Sequence, residues 1–396
     1  MSKTANLLPV DRGHIYIHVP FCERKCHYCD FFSISICPSR KASPNQNQLI
    51  SDYFAALVSE IDSTSEEYIP DDLRISTIYF GGGTPSCVDP MHIKAVLDAI
   101  CRKFTLSEDV EITLEMNPSS ADSTKLTRYK QMGINRLSIG VQSLDDDVLR
   151  TLGRLHDSKL ALSTISKARE AGFTNISADL MLGIPGQTLE QLILNGQKLI
   201  DSGVSHISMY SLELIEGTKL YDRFASTIED EISQEREREM YHGLRDYLRS
   251  CGYMPYEISN CAKIGYESRH NLAYWKGAEY FGYGAGSSGY VNGVRYSHVD
   301  NIDSYIASPK ASVEIEERMN LDSKMREYAM LSLRTSVGIL SEEFQMLFGK
   351  GVEEVFAESI KKNKELGLVI CDAQGVRLTR RGLDLANQVF ADFLLD

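Results

Sequence analysis

Long apolar runs are missing from this chain: nowhere do about 18 apolar residues follow one another, and the N-terminal stretch MSKTANLLPVDRGH has no secretory-signal core. We therefore expect no membrane span, only transient membrane contact at most, and a cytoplasmic location. Basic residues are in the minority, 42 Lys and Arg against 55 Asp and Glu, for a net charge of −13. A chain of that sign does not coat nucleic acid, and no nucleic-acid partner is expected. Regular cysteine pairing is lacking too. The nine cysteines are odd in number, and Cys37, Cys87, Cys101, Cys251, Cys261 and Cys371 stand singly. That argues against a small disulfide-stapled secreted fold and for free thiols in a reducing compartment. Tryptophan is nearly absent, Trp275 being the only one. The rest is ordinary globular material, 43% hydrophobic and 24% charged over 396 residues, enough for a large α/β barrel with an appendage.

From His14 to about Tyr210, strand-like and helix-like stretches alternate. HIYIHV (14–19), ISTIYF (75–80), VEITLEMNP (110–118), INRLSIGVQS (134–143), NISADLML (175–182) and HISMYSLEL (206–214) read as strands. Helical periods near Gln48–Ile61 and at 91–104, 124–133, 158–172 and 189–203 fall between them, several closed by glycine. Such alternation implies right-handed crossovers and a parallel sheet, here an open, partial β/α barrel of TIM type. Sites in such folds gather at the carboxyl ends of the strands. The charged stretch 233–252 reads as a helix with a solvated face, and 278–298 as strands and tight turns. Beyond Leu321 come helices and a β-ribbon, a small winged-helix-like α+β domain. The expected division is a barrel over 1–232, an extension over 233–320 and a C-terminal domain over 321–396. The winged-helix shape commonly meets DNA, which the acidity disfavours.

Three cysteines crowd into HVPFCERKCHYCDFFS (18–33): Cys22, Cys26 and Cys29. Thiolates hold zinc or iron–sulfur clusters. Structural zinc takes four ligands, often as two Cys-x-x-Cys pairs, and no second pair exists. A cubane 4Fe–4S cluster held by three thiolates keeps one iron open for a small molecule. Further motifs follow the strands. IYFGGGTPS supplies Gly82, Gly83 and Thr84, which read either as a tight turn or as backbone opened to a ligand; no Walker lysine is present. LEMNP supplies Glu115, a solvated strand-end charge or a partner for an ammonium or ribose. SIGVQS supplies Gln142, an amide able to donate and accept. LGRLH supplies Arg154, a surface ion pair or a carboxylate fork. SADLMLGIPGQT supplies Asp179, although Thr188 is better placed to cap the next helix.

The order Tyr16, Cys-x-x-x-Cys-x-x-Cys with Tyr28 before the third cysteine, Gly-Gly-Gly-Thr-Pro, Glu-Met-Asn-Pro, Gly-Val-Gln-Ser, Gly-Arg-x-His and Asp-Leu-Met-x-Gly-x-Pro-Gly-Gln-Thr resembles the radical S-adenosylmethionine (SAM) superfamily. Within it, the resemblance is to the branch of oxygen-independent coproporphyrinogen III dehydrogenases and HemW-like heme chaperones, and it covers nearly the whole chain. It implies a 4Fe–4S cluster on Cys22, Cys26 and Cys29, with SAM on the open iron. In that family an electron from the cluster cleaves the sulfonium to a 5′-deoxyadenosyl radical, so an electron donor is implied. SAM contacts are implied for Tyr16, Tyr28, Gly82, Gly83, Thr84, Glu115, Gln142, Arg154 and Asp179.

Two departures separate the relatives. The dehydrogenase motif has a further cysteine two residues after the third, where this chain has Phe31. RHNLAYWKG (269–277) holds His-Asn-x-x-Tyr-Trp at His270, Asn271, Tyr274 and Trp275, a signature similar to that of the chaperones. An imidazole can ligate heme iron and the aromatics can pack on a porphyrin; a structural histidine beside packed rings is the plainer reading. The expectation is a heme chaperone passing heme to an acceptor protein. Its rival is the dehydrogenase, which converts coproporphyrinogen III to protoporphyrinogen IX by radical oxidative decarboxylation. A radical SAM enzyme acting on RNA or a cofactor is disfavoured by the acidity and by the His-Asn-x-x-Tyr-Trp stretch.

Overall fold

The computed structural model describes residues 12–36, 44–227 and 233–395. Cys37, most of the N-terminal stretch and residue 232 at the expected first boundary lie outside the described residues. Six parallel strands follow the expected order: β1 (Arg12–Val19), β2 (Arg74–Gly82), β3 (Leu106–Met116), β4 (Arg136–Gln142), β5 (Asn175–Leu182) and β6 (His206–Ser211). Between them run α1 (Pro44–Asp62), α2 (Pro90–Lys103), α3 (Ser123–Gln131), α4 (Asp146–Thr151), α5 (Ser158–Glu170) and α6 (Leu189–Ser202). Side-chain oxygens start these helices by accepting orphan N–H groups: Asp89 for α2, Asp122 for α3 and Asp157 for α5. Thr188 and Gln191 form a reciprocal capping box on α6, so Asp179 is free of capping duty. Gly203, at φ 84°, ends α6 in the left-handed region.

Two boundaries differ from the sequence reading. β3 starts at Leu106 rather than near 110, because Leu106 pairs with Ile75 across a bulge while the polar residues after it hide the alternation. α1 starts at Pro44, a turn before its apolar period becomes visible.

After β6, α7 (Lys219–Phe224) and α8 (Gln234–Ser250) follow. α8 buries Met240, Tyr241, Leu244 and Leu248 and turns its charged side outward, as its sequence implied. Then come β7 (Met254–Pro255), β8 (Asn260–Ala262), α9 (Arg269–Trp275), β9 (Tyr280–Tyr283), β10 (Ser288–Val291), β11 (Val294–His298) and β12 (Val313–Arg318). They do not form a sheet of their own. The main sheet runs β12-β11-β10-β9-β1-β2-β3-β4-β5-β6-β8-β7, with β9 parallel to β1 on its far side. This open twelve-stranded sheet, parallel at its centre, is the partial β/α barrel with antiparallel strands on both edges.

One apolar cluster runs from Ile15 to Tyr305 and a second from Met325 to Phe393. The second holds α10 (Leu321–Leu333) against later helices and a small antiparallel sheet, Ile339–Leu340, Gly375–Leu378 and Val369–Asp372, the ribbon expected of a winged-helix-like unit. α9 bridges the two clusters: Arg334 lies 4.4 Å over the Trp275 ring, and Lys276 stands 3.9 Å from Glu343.

Candidate cofactor site at the strand ends

The cysteine loop leaves the carboxyl end of β1 and is closed at its base. Phe21–Cys22 pairs in parallel with Ile34–Ser35, and His18 Nε2 lies 3.0 Å from the Phe32 carbonyl. Its tip is held from the opposite side of the barrel. The His27 N–H donates to the Leu152 carbonyl at 3.0 Å, the His27 carbonyl accepts from Leu220 N–H at 2.8 Å, and Arg24 donates to the Gly153 carbonyl at 2.5 Å. Tyr28 packs into an apolar cluster with Leu152, Met181 and Leu220. Gly153 is required here: its φ is +75°, and a Cβ would stand 2.5 Å from the His27 ring. The Gly-Arg-x-His motif is therefore the loop's docking station. His156 completes it, Nε2 meeting the Val141 carbonyl at 3.1 Å; burial and then Arg154 bring its pKa down to about 4.

Arg154 ties the loop to the pocket. Its guanidinium donates to Cys26 Sγ at 3.3 Å, to Asn117 Oδ1 at 2.5 Å and to the Gly140 carbonyl. Burial opposes its charge, but Tyr28, Cys26 and Asp179 outweigh this and hold its pKa above the usual arginine value. Asn117 in turn donates to Thr84 Oγ1 at 2.9 Å, and Thr84 Oγ1 lies 3.4 Å from Cys22 Sγ. One chain of contacts thus joins the thiols, the glycine segment and the arginine. Burial raises the Cys22 thiol and lifts Cys29 to about 11, so both are protonated at neutral pH.

Among the described residues, no three His, Cys, Asp or Glu side chains converge on one point as a single ion needs. Among the described residues, eight cysteines are free thiols, Cys22, Cys26 and Cys29 included.

Around the loop, the remaining pocket residues stand on neighbouring strand ends. Gly82 and Gly83 let the segment run tight against the base of the cysteine loop: a Cβ on Gly83 would stand 2.7 Å from the Phe21 carbonyl, and one on Gly82 2.7 Å from the His18 ring. Gln142 closes β4 at φ 65°, a left-handed backbone unusual for glutamine and frequent at ligand sites. Glu115 accepts from the Tyr79 hydroxyl at 2.7 Å, and its pKa is raised to about 7, burial outweighing that bond. Asp179 is raised to about 6, again by burial, with Ser138 Oγ at 3.5 Å. Tyr16 and Tyr79 stack at 6.3 Å, and burial keeps the Tyr16 hydroxyl protonated. Open backbone, a fixed cation, two carboxylates and three thiols make a donor set that fits a cluster with an amino-acid nucleotide on its open iron.

The His-Asn-x-x-Tyr-Trp residues lie on α9 and point different ways. His270 is buried inside the barrel, Nδ1 2.7 Å from Thr77 Oγ1 and Nε2 2.8 Å from the Tyr274 hydroxyl. Burial keeps it neutral, its pKa well below the usual value, with His14 and Arg136 adding to the effect. Iron can take Nε2 only if the Tyr274 hydroxyl leaves it. Asn271 is half-buried in the first turn of α9, its N–H donating to Ser268 Oγ at 3.3 Å. Trp275 faces Arg334, away from His270.

Sequence reasoning passed over His18, Tyr79, Asn117 and Gly153. A signal for the strand residues existed. Buried parallel strands are ordinarily apolar throughout, whereas these alternate polar and apolar residues.

The "Radical SAM superfamily" family matches residues 16–194 and the "HemN C-terminal domain" family residues 319–385. The chain is 37% identical to the "Heme chaperone HemW" of Bacillus subtilis, over 96% of this chain and 98% of that protein. It is 31% identical to the mitochondrial "Radical S-adenosyl methionine domain-containing protein 1" of Bos taurus, over 97% and 87% of the two chains. Among solved structures, coproporphyrinogen III oxidase (HemN) from Escherichia coli superposes with a TM-score of 0.80 at 21% identity, over 97% of this chain and 91% of that one, which establishes the fold. No helix among the described residues is long and apolar enough to cross a membrane. With its cysteine loop, its pocket motifs and its end-to-end likeness in hand, the chain belongs to the HemW branch of the radical SAM superfamily.

Proposed function

We propose that this protein is a heme chaperone. It binds heme and passes it to an acceptor protein, while Cys22, Cys26 and Cys29 carry a 4Fe–4S cluster with SAM at the open iron and a separate donor reduces the cluster. One observation carries the reading: full-length similarity to proteins named heme chaperone HemW, at 37% identity for one of them. Phe31 adds support. Where the dehydrogenase motif has its extra cysteine, this chain has a phenyl ring 64% exposed to solvent, unable to bind metal or move a hydrogen atom.

When bound, the cluster supplies an electron to the sulfonium of SAM. The chain's own groups do the holding. Gly82, Gly83 and Thr84 let backbone approach the methionine end. Arg154 offers its fork to a carboxylate, and Glu115, Asp179 and Gln142 accept from amino and hydroxyl groups. Tyr16 and Tyr28 wall the pocket. For heme, His270 is the proposed iron ligand after release by Tyr274, with Asn271 next to it on α9 and Trp275 turned the other way, toward Arg334.

The test is anaerobic. Reconstituted protein titrated with hemin is expected to develop a Soret band, and His270→Ala to shift it and weaken binding. The same protein given coproporphyrinogen III, SAM and reductant is expected to form no protoporphyrinogen. Appreciable turnover would overturn the chaperone reading in favour of the enzyme.

A further inference from the structure

Inside the barrel, a short stack of side chains connects α9 to the SAM pocket. The His270 ring lies 5.0 Å from the Tyr79 ring at an interplanar angle of 25°. On its other side Tyr79 stacks on Tyr16, and its hydroxyl donates to Glu115 at 2.7 Å. His270 is itself pinned at both nitrogens, by Thr77 and Tyr274, and its backbone N–H donates to Glu111 Oε1 at 3.2 Å. His270 and Thr77 are buried and Tyr16, Tyr79, Tyr274 and Glu115 half-buried in contact with one another, so a turn of one ring disturbs the next. Tyr79 lies inside IYFGGGTPS without a role in the glycine turn itself, yet it sits between the segment expected to meet heme and the carboxylate expected to meet SAM.

We propose that Tyr79, supported by the ring of His270, is a positioning residue for Glu115, so that events at His270 are felt in the SAM pocket. This rests on the assignment of Glu115 to SAM and, for its heme consequence, on the chaperone reading. The physical logic is simple. A carboxylate accepts from an amino or hydroxyl group of the ligand; its protonated form accepts far more weakly. The Tyr79 hydroxyl bonds the charged form and so opposes the burial that keeps Glu115 near neutrality at about 7. The other groups facing Glu115 are Asp179 on β5, Arg136 on β4, Tyr16 on β1, Tyr210 on β6 and Tyr274 on α9. Of these, Asp179 works against the charge of Glu115 and Arg136 favours it. Among the described side chains, Tyr79 is the one that supplies it a hydrogen bond that lowers its pKa. If heme iron takes His270 Nε2, Tyr274 loses its partner and the ring under Tyr79 shifts. By linkage, heme then changes SAM affinity by the same factor as SAM changes heme affinity.

The test measures SAM affinity by equilibrium dialysis on holoprotein with its reconstituted cluster, from about pH 6 to about pH 9. Wild-type binding is expected to weaken as pH falls through about 7. Tyr79→Phe keeps the ring and drops the hydroxyl, so its midpoint is expected to move upward, with SAM about fivefold weaker at neutral pH. His270→Ala, which removes the supporting ring, is expected to shift the midpoint the same way, and His270→Phe to restore it. A purely structural role would lower thermal stability and leave the midpoint in place. Unchanged midpoints in Tyr79→Phe and His270→Ala overturn the proposal; should His270→Ala fail to fold, Tyr79→Phe decides alone. In a second arm, hemin is added to wild type and SAM affinity measured again. Hemin that binds without altering SAM affinity overturns the heme coupling. Hemin that does not bind at all overturns the chaperone reading, while the Tyr79 result stands separately.

Discussion

Two faces of the same strands carry opposite chemistry. Toward the helices, β1 turns Ile15, Ile17 and Val19, β4 turns Leu137, Ile139 and Val141, and β5 turns Ile176, Ala178 and Leu180, all with no exposed surface. Toward the barrel interior, the alternate residues are His14, Tyr16 and His18, then Arg136 and Ser138, then Ser177 and Asp179. His14 meets Thr77 at 2.9 Å, and Ser177 meets His206 at 2.7 Å. The outer face follows the rule that apolar surface removed from water stabilises a fold by about 25 cal/mol per Å². The inner face gives up that gain and keeps polar groups that must satisfy one another or a ligand. A barrel that needed only to be stable would not be lined this way. One side of the sheet is for folding and the other for binding, and a one-residue slip of register would exchange them.

That division can be tested from both sides. The largest expected effect is on the binding side, at the loop. Cys26→Ala should abolish cluster assembly, read as iron and sulfide content and loss of visible absorbance, with near-wild-type thermal unfolding because the half-buried thiol supports no core. On the folding side, Leu137→Ala should cost about 2–5 kcal/mol in denaturant unfolding and leave SAM affinity per folded molecule unchanged. Next door on the inner face, Asp179→Asn should do the reverse. Burial raises the Asp179 pKa to about 6, so its charged acceptor is present above that value and lost as pH falls through it. The amide should weaken SAM about tenfold, about 1.4 kcal/mol, and remove that limb of the pH profile. The smallest effect belongs to neither face. Thr188→Ala removes the α6 cap, and should lower stability by about 1 kcal/mol with SAM binding intact. An inner-face change that destabilised like Leu137→Ala would erase the distinction.

How far the fold was legible follows from the same contrast. β1 was readable because HIYIHV alternates cleanly, and the helices because their apolar periods begin after Asp or Thr and close near glycine. The cysteine loop was readable because thiols are rare and their spacing is specific. β9 was readable as a strand but not as a neighbour of β1, because four residues carry no record of a partner so far away in the chain. Gln142 announced an amide, but its left-handed backbone depends on the bulge against β5 and has no local signature. Tyr79 and Asn117 were hidden inside quoted motifs. Their roles come from what stands across the barrel, Glu115 for one and Arg154 for the other, and such pairings are set by tertiary structure. His270 was found for its type, yet sequence could not show that Thr77 and Tyr274 already occupy both its nitrogens.

The indole wedged against Arg334 has a practical corollary. A polypeptide with a single tryptophan owns a built-in optical gauge, and here nature has put it in the seam joining the barrel to the winged unit. Its emission colour and quenching by iodide should report, without any label, whether that seam opens when hemin or SAM is added.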